Sequence, residues 1–135
     1  EFDVILTAEA KAIPLAYEMA AQAGFNDYVI ARKGMKVYMR DAISTDVESI
    51  TTQHLQKLYL GANDVDKLKG RKVLIVDDVI STGASLSSLE ELVRAAGGEV
   101  AGKMAILAEG DPINREDIIV LGKLPLFNVD GTEKE

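Results

Sequence analysis

The stretch Val73-Leu74-Ile75-Val76-Asp77-Asp78-Val79-Ile80-Ser81-Thr82-Gly83-Ala84-Ser85 limits what this chain can fold into more than any other. Four successive aliphatic, mostly β-branched residues read as a strand buried on both faces. The run ends abruptly at two adjacent carboxylates, and a small, hydroxyl-rich turn containing Gly83 follows. Beyond it Leu86, Leu89, Val93 and Ala96 recur at helical spacing, so Ser81 to Ser85 is the loop that opens a helix.

A loop of this kind aims several backbone N–H groups and the positive end of a helix dipole at one spot, and its hydroxyls donate further hydrogen bonds. Such a spot takes a phosphate. Gly83 lets the backbone approach an anion closely, having no Cβ. Asp77 and Asp78 lie beside that spot, where carboxylates accept hydrogen bonds from sugar hydroxyls or hold a hydrated Mg²⁺. Acid next to an anion cradle points to a sugar phosphate. Helix capping by Ser81 or Thr82 needs one hydroxyl and accounts for neither the second Asp nor the Gly. A phosphoacceptor receiver domain also carries an Asp pair after a strand, but near its start, and too little sequence follows Asp78 here for the remaining βα units.

A hydrophobic strand, two acidic residues, two apolar positions and Ser/Thr-Thr-Gly-x-Ser/Thr resemble the phosphoribosyl diphosphate (PRPP) binding motif of type I phosphoribosyltransferases. Val73–Ser85 meets every position of that pattern. The resemblance implies that Asp77 and Asp78 are the catalytic pair, orienting the ribose hydroxyls and favouring a cationic sugar. It gives the 5′-phosphate to Ser81, Thr82, Gly83, Ala84 and Ser85. It also implies Mg²⁺, which Asp77 and Asp78 would reach through PRPP and water.

Phe2 to Thr7 reads as the first strand, and Ala8-Glu9-Ala10-Lys11 as the turn after it. From Ala12 to Ala23, the residues Ile13, Ala16, Tyr17 and Ala20 form an apolar helical stripe that Gly24 stops. Pro14 fits the first turn, where its missing N–H is not needed. In purine members of the family the corresponding turn reads Glu-Ser/Ala-Arg/Lys and holds the diphosphate of PRPP. Glu9, Ala10 and Lys11 match it, with Lys keeping the charge of the commoner Arg but losing its bidentate fork. Taken alone, an exposed Glu and Lys flanking a helix start would look the same. Tyr28 to Lys33 is a second strand, joined to the first through a helix in a right-handed βαβ unit, and it ends in the two cations Arg32 and Lys33. The resemblance assigns both cations to the diphosphate, in related dimers partly across the subunit interface. A solvated basic strand end is the alternative, but a polyanion beside two carboxylates needs counter-charge.

Gly34 to about Glu48 shows no periodicity and resembles the family's lid loop, which closes over PRPP and excludes water. Ser49 to Gln53 and Leu55 to Leu60 read as a strand or hairpin leading out of it. Adenine-specific members carry a Glu in this region as an acid for the leaving base; this chain has Thr52 there and Glu48 a few residues early. Asn63 to Gly70 is a polar turn with a short helical piece. Val100 to Ala108 is a further strand, Ile118 to Leu121 and Leu124 to Phe127 are two short ones, and Asp130 to Glu135 is a frayed tail.

Composition excludes several classes. With no Cys and His54 as the single histidine, disulfides, thiolate chemistry and His-paired zinc sites are absent from this sequence. A net charge of −7 argues against general nucleic-acid binding. No apolar run is long enough to span a bilayer and no signal peptide opens the chain, so a cytoplasmic location is the expectation. Opening at Glu1 without Met, directly on a buried strand, the sequence reads as a fragment of a longer protein.

These readings predict an α/β domain over residues 1–135: an open, mainly parallel sheet flanked by helices, with ligand loops at the strand C-terminal ends. Part of the N-terminal hood that shapes the base pocket in purine members is expected to be missing. The implied activity is transfer of the phosphoribosyl group of PRPP to a purine base, adenine first and xanthine next, with a homodimer as the implied assembly. A PRPP-sensing module without transferase activity is the alternative from another class.

Overall fold

A strand that is apolar at successive positions must be covered on both faces, and two strands of this chain meet that demand in the middle of one sheet. A computed structural model describes residues 1–34, 42–48, 55–80, 83–110, 117–125 and 127–133. In it β1 (Val4–Ala8) and β5 (Lys72–Ile80) pair in parallel, with Ile5 opposite Leu74. β2 (Val29–Ala31) flanks β1, and β6 (Glu99–Glu109) and β7 (Ile119–Leu124) extend the sheet on the other side, giving the order β2-β1-β5-β6-β7. Every pair in this sheet is parallel.

The two crossover helices lie on opposite faces, as right-handed connections leading in opposite directions require. α1 (Ile13–Gln22) joins β1 to β2, and its Ala16 and Ala20 pack with Ile5, Leu74 and Val76. α3 (Ala84–Ala95) joins β5 to β6, and its Leu86, Leu89, Leu92 and Val93 pack with Val4, Leu6, Val73 and Ile75. Alternate residues of one strand thus feed two separate cores. Each of these buried aliphatic side chains contributes about 1.5–3 kcal/mol of burial free energy. An antiparallel hairpin, β3 (Ile43–Glu48) with β4 (Leu55–Leu60), stands beside the sheet and sends Leu58 and Leu60 into the α3-side core. α2 (Ala62–Leu68) leads from it to β5.

The fold class follows the sequence reading, and four local expectations need correction. β5 does not end at its carboxylates: it runs through Asp77 and Asp78 to Ile80, because Asp77, Val79 and Ile80 stay in register with Ala105, Leu107 and Ala108 of β6. A hairpin strand covers Ile43–Glu48, within the segment read as irregular. Its partner register sets Ile43 opposite Leu60, and Ile43 packs on the core. Residues 35–41 and 49–54, the rest of the proposed lid and its exit, lie outside the described residues. One strand, β7, replaces the two short strands expected after Ile118, since Gly122 keeps its place in the ladder opposite Leu107. Asp130 to Glu133 of the tail turn back on the chain: Asn128 N–H donates to the Thr132 carbonyl at 2.7 Å, and Phe127 bridges Glu133.

Candidate active site

Open parallel sheets bind ligands beyond the carboxyl ends of the strands, where the strand order reverses. Here that point lies between β1 and β5, with β2 and β6 stepping away on either side.

β5 delivers the two acids. Asp77 lines the cleft beside the start of α3, and its carboxyl meets that of Asp78. The backbone N–H of Asp78 donates to Asp77 Oδ1 at 2.8 Å. Burial pushes the Asp77 carboxyl up to about 7, the Asp78 carboxyl adds to the rise, and the Asp78 N–H and the Lys33 ammonium pull against it. At Asp78 burial also pushes upward, but hydrogen bonding with Asp77 and from the Val79 N–H, with the Lys11 charge, outweighs it and leaves that carboxyl below its usual range. One acid is poised to hold a proton at neutral pH while its neighbour stays ionised.

The same electrostatics reveal the neighbourhood. Lys11, in the turn after β1, acts on Asp78, and Lys33, just past β2, acts on Asp77. Three strand ends far apart in sequence therefore bring the predicted acids and two of the predicted cations together. The turn after β1 contains a cis peptide between Glu9 and Ala10, and Ala10 accepts from Ile13 N–H at 3.2 Å as α1 begins. Glu9 N–H donates to Ala31 carbonyl at 2.9 Å, and the Glu9 carboxylate accepts from Lys33 N–H at 3.0 Å. Arg32 NH1 lies 3.9 Å from Glu9 Oε2. On its other side the Arg32 backbone exchanges two hydrogen bonds with Tyr59 of β4, at 3.0 and 2.8 Å.

α3 opens on Gly83, whose φ of 86° belongs to the left-handed region that favours glycine. Gly83, at the N-cap position, offers no side chain to cap the helix. The first-turn N–H groups of a helix lack intrahelical acceptors and face the crevice. Asp77, Val79, Ile80, Gly83, Ser85 and Leu86 line a cleft of about 90 Å³ there. Ser81 and Thr82, like Thr52, lie outside the described residues.

Sequence reasoning passed over Tyr59, because its contribution is a backbone bridge and any residue type supplies one. It also passed over Val79, Ile80 and Leu86, whose apolar character signals core and not a cleft wall.

Among the described residues no group of three or more His, Cys, Asp or Glu converges on one point. A divalent cation here would draw on Asp77 and Asp78 and complete its shell with ligand oxygens and water, a donor set that suits Mg²⁺. No helix among the described residues is long and apolar enough to cross a membrane.

Residues 1–123 match the phosphoribosyl transferase domain. The chain is 31% identical over 123 residues to the xanthine phosphoribosyltransferase of Exiguobacterium sp., covering 90% of this chain and 62% of that protein. It is 32% identical over 102 residues to the adenine phosphoribosyltransferase of Pseudothermotoga lettingae, covering 76% and 56%. The purine biosynthesis transcriptional repressor of Bacillus subtilis is 30% identical over 114 residues, or 84% of this chain and 39% of the repressor. The crystal structure of adenine phosphoribosyltransferase from Thermoanaerobacter pseudethanolicus superposes with a TM-score of 0.74 at 25% identity, covering 92% of this chain and 72% of that one. The chain thus spans less than two thirds of the length of the curated relatives it matches. A domain match that runs from the first strand into β7, on a sheet of the same architecture, places the chain in the phosphoribosyltransferase family, in its type I fold.

Proposed function

We propose that this chain carries the PRPP-binding and transfer site of a purine phosphoribosyltransferase. In the reaction a purine nitrogen forms a bond to C1′ of PRPP as the C1′–O bond to diphosphate breaks, through an oxocarbenium-like transition state. The carrying observation is the convergence of Asp77 and Asp78 with Lys11 and Lys33, with Asp77 lining the cleft at the start of α3.

On this reading the α3 N-terminus, with Ser85 and the preceding Ser81-Thr82-Gly83-Ala84 segment, holds the 5′-phosphate. Asp78, kept ionised, accepts from a ribose hydroxyl and stabilises positive charge on the sugar. Asp77, holding a proton near neutrality, donates one hydrogen bond as readily as it accepts one. Lys11, Arg32 and Lys33 neutralise the departing diphosphate. Mg²⁺, reached from Asp77 and Asp78 through ligand oxygens, would add leaving-group stabilisation when bound. Adenine is the proposed base, on the Ser81-Thr82-Gly83 loop and the adenine-specific relatives; xanthine is next.

The repressor match favours one second reading, a PRPP-binding regulatory module. Calorimetric titration with PRPP and Mg²⁺, followed by adenine, xanthine, guanine and hypoxanthine with diphosphate release monitored, separates the two. Release that depends on one base supports the transferase. PRPP binding without release supports the regulator, and no PRPP binding rejects both.

A further inference from the structure

A carboxylate at the rim of a diphosphate cradle is electrostatically out of place, since it repels the ligand that its neighbours attract. Glu9 is such a carboxylate, in the same turn as Lys11. Its geometry supplies a different task. One oxygen, Oε1, accepts the backbone N–H of Lys33 at 3.0 Å, and the other faces Arg32 NH1 at 3.9 Å. Its own N–H donates to Ala31, the last residue of β2, at 2.9 Å. Glu9 therefore grips the end of β2 through backbone and side chain together.

We propose that Glu9 is a positioning residue: it ties the turn after β1 to the Arg32-Lys33 segment and so fixes the span between Lys11 and Lys33 across which a diphosphate would lie. This rests on the PRPP reading above. The tie acts on the cations, and the carboxylate itself does not touch the anion. Tyr59 holds the Arg32 backbone as well, so loss of the Glu9 side chain leaves that segment attached to the hairpin, and to the turn only through the Glu9 N–H that donates to Ala31. A hydrogen bond from a backbone N–H to a carboxylate reduces the charge with which that carboxylate opposes a nearby anion. Pairing with Arg32 reduces it further.

The test measures inorganic diphosphate, PRPP and ribose 5-phosphate binding, each with Mg²⁺, by calorimetry on the wild type, Glu9→Gln and Glu9→Ala. Gln keeps a carbonyl acceptor for the Lys33 N–H; Ala removes it. The expected result is about tenfold weaker diphosphate and PRPP binding in Glu9→Ala, the size of one lost charge-assisted hydrogen bond. Glu9→Gln should stay within about threefold of wild type, and ribose 5-phosphate, read by the α3 N-terminus, should bind all three proteins equally. Diphosphate binding that is unchanged or tighter in Glu9→Ala would overturn the proposal, as would equal losses in both variants or a parallel loss of ribose 5-phosphate. A wild-type protein that binds neither PRPP nor ribose 5-phosphate would instead reject the functional reading itself, and this proposal with it.

Discussion

The backbone N–H of Asp78 donates to the carboxylate of Asp77 at 2.8 Å, and the two carboxyls, adjacent in sequence, also hydrogen-bond one another. Their protonation consequences differ. The folded Asp77 carboxyl is raised to about 7, so the native state holds a proton that the unfolded chain releases near 3.8. Stability from this group is full below the unfolded value and is lost as pH rises through about 7. Asp78 has the opposite sign, its contribution lost only as pH falls below the usual carboxylate range.

Asp77→Asn removes the charge that burial penalises. The variant should already exceed wild type in thermal stability at pH 5, above the unfolded value of 3.8, and its advantage should widen at pH 8 by about 4 °C or more, the shift expected for ~1 kcal/mol in a domain of this size. Thermal unfolding at the two pH values checks this; an Asn variant less stable at pH 8 would mean that the Asp77 charge is stabilising.

Asp78→Asn should lower turnover tenfold or more while the protein remains folded, because an ionised acceptor at the sugar is lost without a change of shape. Steady-state diphosphate release, beside a melting curve of the same sample, is the measurement. Unchanged turnover would remove Asp78 from the proposed chemistry.

Lys103 of β6 reaches Glu90 of α3 at 2.7 Å and Asp117 at 2.9 Å, with its side chain only 14% exposed. Burial pushes this ammonium down, but the two carboxylates raise it above its ordinary value, so its contribution is full below about 10.5 and lost at higher pH. Lys103→Met should cost about 2–3 kcal/mol at pH 7 in a denaturant titration, since Glu90 is left nearly buried beside an exposed Arg94. Lys103→Met combined with Glu90→Leu should recover much of that loss.

Gly98 turns α3 into β6 with no room for a side chain: a Cβ there would stand 2.7 Å from the Leu68 carbonyl oxygen and 3.2 Å from Val93 Cγ1. Gly98→Ala should destabilise the fold by about 1–3 kcal/mol, as overpacking does. Gly34→Ala meets no atom of the described residues within 4 Å of the added Cβ; it is the control and should stay within about 0.5 kcal/mol.

The sheet was legible wherever burial on two faces wrote a continuous apolar run, as in Val4-Ile5-Leu6 and Val73-Leu74-Ile75-Val76. α1 and α3 were legible because one apolar stripe per helix meets one face of that sheet. β3 was missed because Ile43-Ser44-Thr45-Asp46-Val47-Glu48, paired with β4, carries the weak polar alternation of a two-stranded ribbon. The acids and cations of the site were readable as residue types with the right neighbours. The grip of Glu9 on Lys33 was not, since its partner is a backbone N–H that any sequence offers. The Lys103 network escaped for a related reason: Glu90, Lys103 and Asp117 belong to three separate segments, and only the packing of α3 on β6 brings them together.

Because β5 continues through its acid pair, the register of that strand sets both its cores and its acids. Val73 and Ile75 belong to the chamber under α3, Leu74 and Val76 to the chamber under α1. Asp77 and Asp78, which follow, are the same amino acid twice in different surroundings, and neither stands in for the other. A single residue inserted upstream in β5 would leave the motif intact as a string of letters while turning the four apolar side chains before it to the opposite chambers. What the strand carries is a reading frame.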